Sequence, residues 1–143
     1  MEVRQARKSD FDSFKLHPAN VEEIEAIEDI TLEQEMSLLW ELTTRKRAIE
    51  VNGKVVCLFG IFGENNTLWL FFSKDAEVPH SFFKVIKQEF EEFLKDNKYI
   101  QCNIYPKNRL ALIMAKMCGL QYDGDVIVGT KGNTFFHYRK GVE

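Results

Sequence analysis

The sequence is poor in the residues that mark disulfide-rich, metal-binding and proline-rich chains. Its 143 residues include three cysteines, three prolines and three histidines. The cysteines are odd in number, unrelated in spacing and set among apolar residues, so we expect buried reduced thiols and no disulfide framework or zinc site. The histidines have no ligand spacing with a cysteine or a carboxylate, and we therefore expect no metal site. These residues are Cys57, Cys102, Cys118, His17, His80 and His137.

Long apolar runs and an excess of one charge are also missing. No segment reaches the roughly 18 to 20 apolar residues of a membrane span, and the first ten residues contain no apolar signal region. The formal net charge is -3, with basic residues scattered among acidic ones. This distribution does not favour nucleic acid or an anionic membrane as a partner. We expect a soluble, cytoplasmic protein.

The composition is that of a globular domain. Hydrophobic residues make up 45% of the chain, and phenylalanine alone occurs 12 times. No internal repeat, low-complexity tract or linker divides the sequence. We therefore expect residues 1–143 to form one domain with one core.

The first half of the chain predicts a strand, two helices and three strands. "EVRQAR" suits the first strand, and the following "SDFDSFKLHPA" has room for a short helical turn. Asn20 with Glu23, and Thr31 with Gln34, have the spacing of helix-capping boxes. Asn52-Gly53 predicts a tight hairpin turn, and the unbroken apolar run "NTLWLFF" predicts a central strand. A glycine within the second hairpin strand, Gly60, suggests a bulge.

The second half predicts a helix, a strand, a helix and two strands. The helix from Pro79 to about Asp96 has a phenylalanine-rich face, and "YIQCNIY" follows as a strand. The next helix runs from Asn108 to Cys118 and ends at Gly119. "LQYDGDVIVG" and "NTFFHYR" suit an antiparallel pair. The predicted fold class is α/β (α+β), a mixed twisted sheet of about six to seven strands with helices on both faces.

This order resembles the GNAT superfamily of acetyl-CoA-dependent N-acetyltransferases. The last helix of that family is similar to the stretch that contains Asn108, Ala111, Ala115 and Gly119. "EVRQARKSDFD" and "AIEVNGKVVCLFG" look like its opening strand and hairpin. The resemblance implies a sheet in which two neighbouring parallel strands, residues 68–72 and 99–105, part at their far ends.

A closer resemblance is to small GNAT-like proteins of tailed bacteriophages, including the internal virion protein A type. "EEIEA", "NGKVVCLFG", "LWLFFSKD" and "NRLALIMAKMCG" carry it. It implies a host or virion protein as partner, and the host cytoplasm as location if the chain is phage-encoded.

The GNAT resemblance implies acetyl-CoA as cofactor, held where the two strands part and at the start of the following helix. The residues implied for coenzyme binding are Phe72, Ser73, Val78, His80, Ser81, Phe82 and Asn108. The loop departs from the family pattern, because no glycine lies between Gly63 and Gly119. Pro79 removes one N–H donor, and Asp75 and Glu77 add negative charge where a pyrophosphate would lie.

The catalytic groups that the resemblance implies are only partly present. Family enzymes often protonate the leaving thiolate with a tyrosine of the last helix, where this chain has Ala115. Tyr105 is the nearest substitute, although a tyrosine at a strand end also suits ordinary packing. Asp75 is the candidate base, and it also suits the start of a helix. Early glutamates, Glu22, Glu23 and Glu25, either face an acceptor cleft or form a solvated helix face.

Two functions therefore remain open from the sequence. One is an N-acetyltransferase that binds acetyl-CoA and an amine acceptor through a degenerate cofactor loop. The other is a catalytically silent GNAT-like phage protein that binds a host or virion protein, in assembly or counter-defence. Asn108 suits both, as a coenzyme contact or as a helix cap. A homodimer through the last strands is compatible with either function.

Overall fold

The structure is a computed structural model that describes residues 1–27 and 29–141. Seven strands and five helices occur in these residues. In chain order they are β1 Glu2–Gln5, α1 Lys8–Ser13, α2 Pro18–Ile27, α3 Leu32–Leu42, β2 Thr43–Val51, β3 Lys54–Phe62, β4 Thr67–Phe72, α4 Ser81–Asp96, β5 Tyr99–Ile104, α5 Arg109–Met117, β6 Gln121–Val128 and β7 Thr134–Gly141.

The strands form one mixed sheet in the order β1-β2-β3-β4-β5-β7-β6. Strands β4 and β5 are parallel neighbours, and the other neighbouring pairs are antiparallel. The apolar strand β4 lies at the centre, fourth of seven. The predicted fold class and the parallel pairing of the two key strands are confirmed.

Helices cover both faces of the sheet because each strand alternates its side chains between the two faces. On one face, α4 and α5 pack over a core that includes Phe59, Phe82 and Phe93. On the other face, α1, α2 and α3 surround Phe11, Trp69 and other buried side chains. The indole N–H of Trp69 donates to Thr43 Oγ1 at 3.0 Å, which satisfies both buried groups.

Several local predictions are confirmed. Asn52 and Gly53 have φ angles of 52° and 78°, as the tight β2–β3 turn requires. Thr31 caps α3 and forms the predicted capping box with Gln34. Asn108 caps α5, and Gly119 follows that helix with φ of 85°. The short helical turn expected after β1 is confirmed, as the six-residue helix α1.

Other local predictions need correction. Helix α2 begins at Pro18, so Asn20 lies inside the helix and does not cap it. Helix α4 begins at Ser81 and not at Pro79. Pro79 lies in the preceding turn, where its O accepts from Phe82 N. The register shift near Gly60 lies in the partner strand β2, between Thr43 and Arg45.

No helix in residues 1–27 and 29–141 is long and apolar enough to cross a membrane.

Candidate functional site

The two parallel strands separate soon after they meet. β4 and β5 share one paired position, Thr67 with Gln101, where Gln101 N donates to Asn66 O at 3.1 Å. Beyond this point a cavity of about 230 Å³ opens between the strands. Its lining is mainly apolar, and its polar residues are Asn20, Glu23, Glu35, Thr67, Asn103 and Asn108. The cleft therefore has a few polar groups in an apolar wall, the usual composition of a ligand site.

Glu23 projects from α2 to this cleft. Its Oε2 accepts a hydrogen bond at 2.9 Å from the backbone N of Tyr105, the residue directly after β5. Burial raises the pKa of the Glu23 carboxyl to about 7, because desolvation outweighs the lowering effects of the hydrogen bond from Tyr105 N and of the nearby Asn108 amide. Glu23 therefore changes charge near neutral pH.

Asn108 also lines the cleft, at the start of α5. Its Oδ1 accepts from Ala111 N at 3.1 Å, which caps the helix. Its Nδ2 is buried and has no acceptor in hydrogen-bonding geometry among residues 1–27 and 29–141, although the amide is near enough to Glu23 to lower that carboxyl's pKa. The residue is 2% exposed. A buried donor without a full hydrogen bond is costly and is available to a ligand acceptor.

The edge of β4 that faces the cleft is occupied by the chain itself. Asn20 Oδ1 accepts from Phe72 N at 2.9 Å, and Asn20 Nδ2 donates to Leu70 O at 3.4 Å. The segment before α2 continues this pairing, because His17 N donates to Phe72 O at 2.8 Å. Lys74 N donates to Lys15 O at 2.7 Å. We call residues 15–20 the edge segment.

Comparison with protein-family models and with curated protein sequences gives no match. Solved structures do match. A complex of the aminoglycoside acetyltransferase AAC(6')-Ib with coenzyme A aligns with a TM-score of 0.67 and 14% identity, over 97% of this chain and 93% of the other. A chimera of the spermidine N-acetyltransferase SpeG from Vibrio cholerae gives 0.67 and 10%, over 98% and 94%. The chain has the GNAT fold. A ribosomal-protein-alanine N-acetyltransferase from Brucella melitensis gives 0.66 and 16%, over 99% and 100%.

The GNAT fold places the predicted coenzyme residues in two groups. Phe72 and Asn108 line the cleft, whereas the other five lie along the loop after β4 and the start of α4. Ser73 N donates to Val56 O at 2.9 Å, and Phe82 is fully buried in the core. Val78 packs against that core, and His80 and Ser81 are exposed. The coenzyme-binding roles of these residues stay predictions.

The two predicted catalytic residues lie at the ends of neighbouring strands. Tyr105 follows β5, is 9% exposed, and packs its ring against Phe135 with centroids 5.6 Å apart. Asp75 is exposed in the loop after β4. Their catalytic roles also stay predictions.

Sequence reasoning did not single out Glu23 or the contacts of Asn20. The sequence analysis treated Glu23 together with Glu22 and Glu25, as side chains that either face an acceptor cleft or form a solvated helix face. One signal was present, because Glu23 follows Asn20 by three residues and precedes the buried Ile24, so it lies on the inward face of α2. The neighbouring Glu22 and Glu25 are exposed.

Proposed function

We propose that this chain is a GNAT-fold binding protein that does not transfer an acetyl group. The observation that carries the proposal is the occupied edge of β4. A GNAT coenzyme would lie where β4 and β5 part, and a ligand along a strand edge needs free N–H and C=O groups. Here Phe72 N, Phe72 O and Lys74 N are already bonded to the edge segment.

The acetyl-CoA that the GNAT fold implies does not fit these residues. It would have to displace the hydrogen bonds that β4 and Lys74 make with Lys15 O, His17 N and Asn20 Oδ1, each of net value about 0.5 to 1.5 kcal/mol. The loop that would receive the pyrophosphate has no glycine and carries the exposed carboxylates Asp75 and Glu77. Negative charge beside a pyrophosphate opposes binding.

The cleft instead suits a small ligand with an amino group on an apolar body. The wall is mainly apolar, and Glu23 supplies a carboxyl that gains a partner when an ammonium group lies beside it. Asn108 Nδ2 offers a donor to an acceptor on the same ligand. The amino group belongs to a small molecule or to a protein, and the host or virion partner implied by the phage resemblance stays a prediction.

A second candidate function is favoured by Glu23 itself. A carboxyl with a pKa of about 7 at the cleft suits a general base that deprotonates an amine. One solved neighbour is AAC(6')-Ib in complex with paromomycin and acetyl-CoA. This candidate is an acetyl-CoA-dependent N-acetyltransferase, and it requires the edge segment to leave β4.

Titration calorimetry with acetyl-CoA separates the two candidates. The binding protein is expected to give no heat up to about 1 mM coenzyme, a concentration that would detect binding of about -4 kcal/mol. Micromolar binding, with acetyl transfer to spermidine as the probe amine, would overturn the proposal in favour of the enzyme.

NMR titration with n-butylamine tests the amine ligand separately. We expect shifts of the Tyr105 amide, and tighter binding above pH 7 than below it, because Glu23 is ionised above its pKa of about 7. Glu23→Gln should weaken binding, whereas Glu25→Gln, at an exposed position of the same helix, should not. Equal binding by the wild type and Glu23→Gln would overturn the role of the carboxyl.

A further inference from the structure

The β6–β7 hairpin brings two aspartates and a histidine together away from the cleft wall. Ligand atoms of Asp123, Asp125 and His137 all lie within 4.8 Å of one another. We propose that these three residues bind one divalent transition-metal ion, with Zn²⁺ as the representative ion. The site is independent of the function proposed for the cleft.

A bulge in β6 creates this grouping. The register of the hairpin shifts between Tyr122 and Val126, so residues 123–125 lie opposite the single residue His137. Gly124 at the middle has φ of 93°, a conformation that glycine adopts without strain. Asp125 N donates to Asp123 Oδ1 at 3.0 Å, which holds the bulge closed. The two carboxylates thereby lie within 4.8 Å of the same imidazole, although a glycine separates the two aspartates in the sequence.

A hydrogen-bond chain from outside the cluster orients that imidazole. Gln101 Nε2 donates to Asn65 O at 2.7 Å, so Gln101 Oε1 is directed toward His137. Oε1 accepts only, and it lies 2.6 Å from His137 Nε2, which therefore carries the proton. Metal-binding histidines commonly have such a partner on the nitrogen that does not bind the ion.

The remaining nitrogen faces the carboxylates. His137 Nδ1 contacts Asp123 Oδ2, so this nitrogen and the carboxylate are close enough to bind one ion together. With Nε2 held by Gln101 and Nδ1 held by Asp123, His137 has no nitrogen left for acid–base catalysis on a substrate. An incoming ion takes Nδ1 and two carboxylate oxygens as ligands, and any proton on Nδ1 is released to water.

The ligand types indicate the class of ion. Imidazole with carboxylate oxygen suits Zn²⁺ and related transition ions, whereas Mg²⁺ and Ca²⁺ prefer oxygen alone. The two negative charges of the aspartates balance the ion, and both aspartates are exposed, so water can complete the coordination. The ion would crosslink the exposed edge strand β6 to β7.

The three cysteine thiols do not compete strongly for the ion. Burial raises the pKa of Cys102 to about 12 and that of Cys118 to about 11, and it raises the pKa of Cys57 well above its ordinary value. Since thiolates bind zinc and thiols do not, these cysteines remain poor ligands at neutral pH.

Calorimetry with ZnCl₂ on the full chain tests the site, with Co²⁺ absorption as a second readout. We expect one equivalent of Zn²⁺ to bind, and Co²⁺ spectra without a thiolate charge-transfer band. His137→Gln and Asp125→Asn should each weaken binding about tenfold or more. His80→Gln, which changes an exposed histidine elsewhere, should bind like the wild type.

Asp125→Asn keeps the test decisive if His137→Gln does not fold, because it leaves the contact between His137 and Asp123 in place. Absence of Zn²⁺ binding by the wild type would overturn the proposal. So would equal binding by the wild type and Asp125→Asn.

Discussion

Glu23 couples the stability of the protein to pH. Its carboxyl has an ordinary pKa of 4.5, which burial in the cleft raises to about 7. Between these pH values the unfolded chain ionises while the folded chain keeps its proton, so stability falls as pH rises and levels off above pH 7. Glu23→Gln removes this loss. We expect the variant to match the wild type below pH 4.5 and to exceed it by at most about 3 kcal/mol above pH 7.

Urea denaturation from about pH 4 to 8 measures this difference. Glu25→Gln is the matched control, and its stability relative to the wild type should not follow the same pH profile. The amide introduced by Glu23→Gln retains an oxygen that can accept from Tyr105 N, so the comparison isolates the charge. A constant difference across the pH range would contradict the raised pKa.

Single residues also mark where sequence reasoning failed. Asn20 has the sequence signature of a helix cap, but Pro18 already begins α2, and the side chain bonds to β4 instead. Capping spacing depends on local sequence, whereas this contact joins residues 52 positions apart. The cluster of Asp123, Asp125 and His137 was missed for a related reason. A bulge in β6 brings these residues together, and no characteristic sequence spacing predicts that bulge.

The helices and strands themselves were mostly predictable. Period-two and period-3.6 patterns, together with turn residues such as Asn52-Gly53, record which faces are buried. The bulge near Gly60 was assigned to the wrong strand, because Gly60 lies in β3 and the nearest register shift, between Thr43 and Arg45, lies in β2. Glycine is needed at position 60 because a side chain would collide with β2, and not because of its φ and ψ angles.

Gly60→Ala tests this close approach of β2 and β3. An added Cβ would lie 2.5 Å from Arg45 O and 2.7 Å from Thr43 Cγ2, too close for either group. Because the first contact is with backbone, we expect a loss of about 2 to 3 kcal/mol in the free energy of unfolding. Urea denaturation measures it.

Gly63→Ala is the control for this substitution. Gly63 has φ of 76°, and no atom of the described residues beyond its chain neighbours lies within 4 Å of an added Cβ, so only backbone strain of about 1 to 2 kcal/mol applies. Thr43 also accepts from the Trp69 indole, so Gly60→Ala should shift the tryptophan fluorescence while Gly63→Ala leaves it unchanged. A smaller loss for Gly60→Ala than for Gly63→Ala would contradict the steric explanation.

At the scale of the whole molecule, the sheet and its parting strands were predicted, but the contents of the cleft were not. The GNAT resemblance implies the parallel pair β4 and β5, which the structure confirms. A family resemblance gives the position of a cleft, not whether another part of the chain fills it. The edge segment lies far before β4 in sequence, and no local pattern records its pairing.

Hydrogen exchange measures whether the edge segment stays in place in solution. The amides of Phe72 and Lys74 face the parted edge of β4, where an open cleft would expose them to water. Their bonds to Asn20 Oδ1 and Lys15 O should instead protect them, so we expect exchange at least about tenfold slower than for the outward-facing amides of the edge strand β6. NMR-detected exchange on the wild type needs no substitution and cannot fail through misfolding. Fast exchange at both amides, with slow exchange retained in β3, would show that the segment leaves β4 while the sheet remains folded. That result would remove the main support for a binding protein, because the strand edge would then be free to receive a coenzyme.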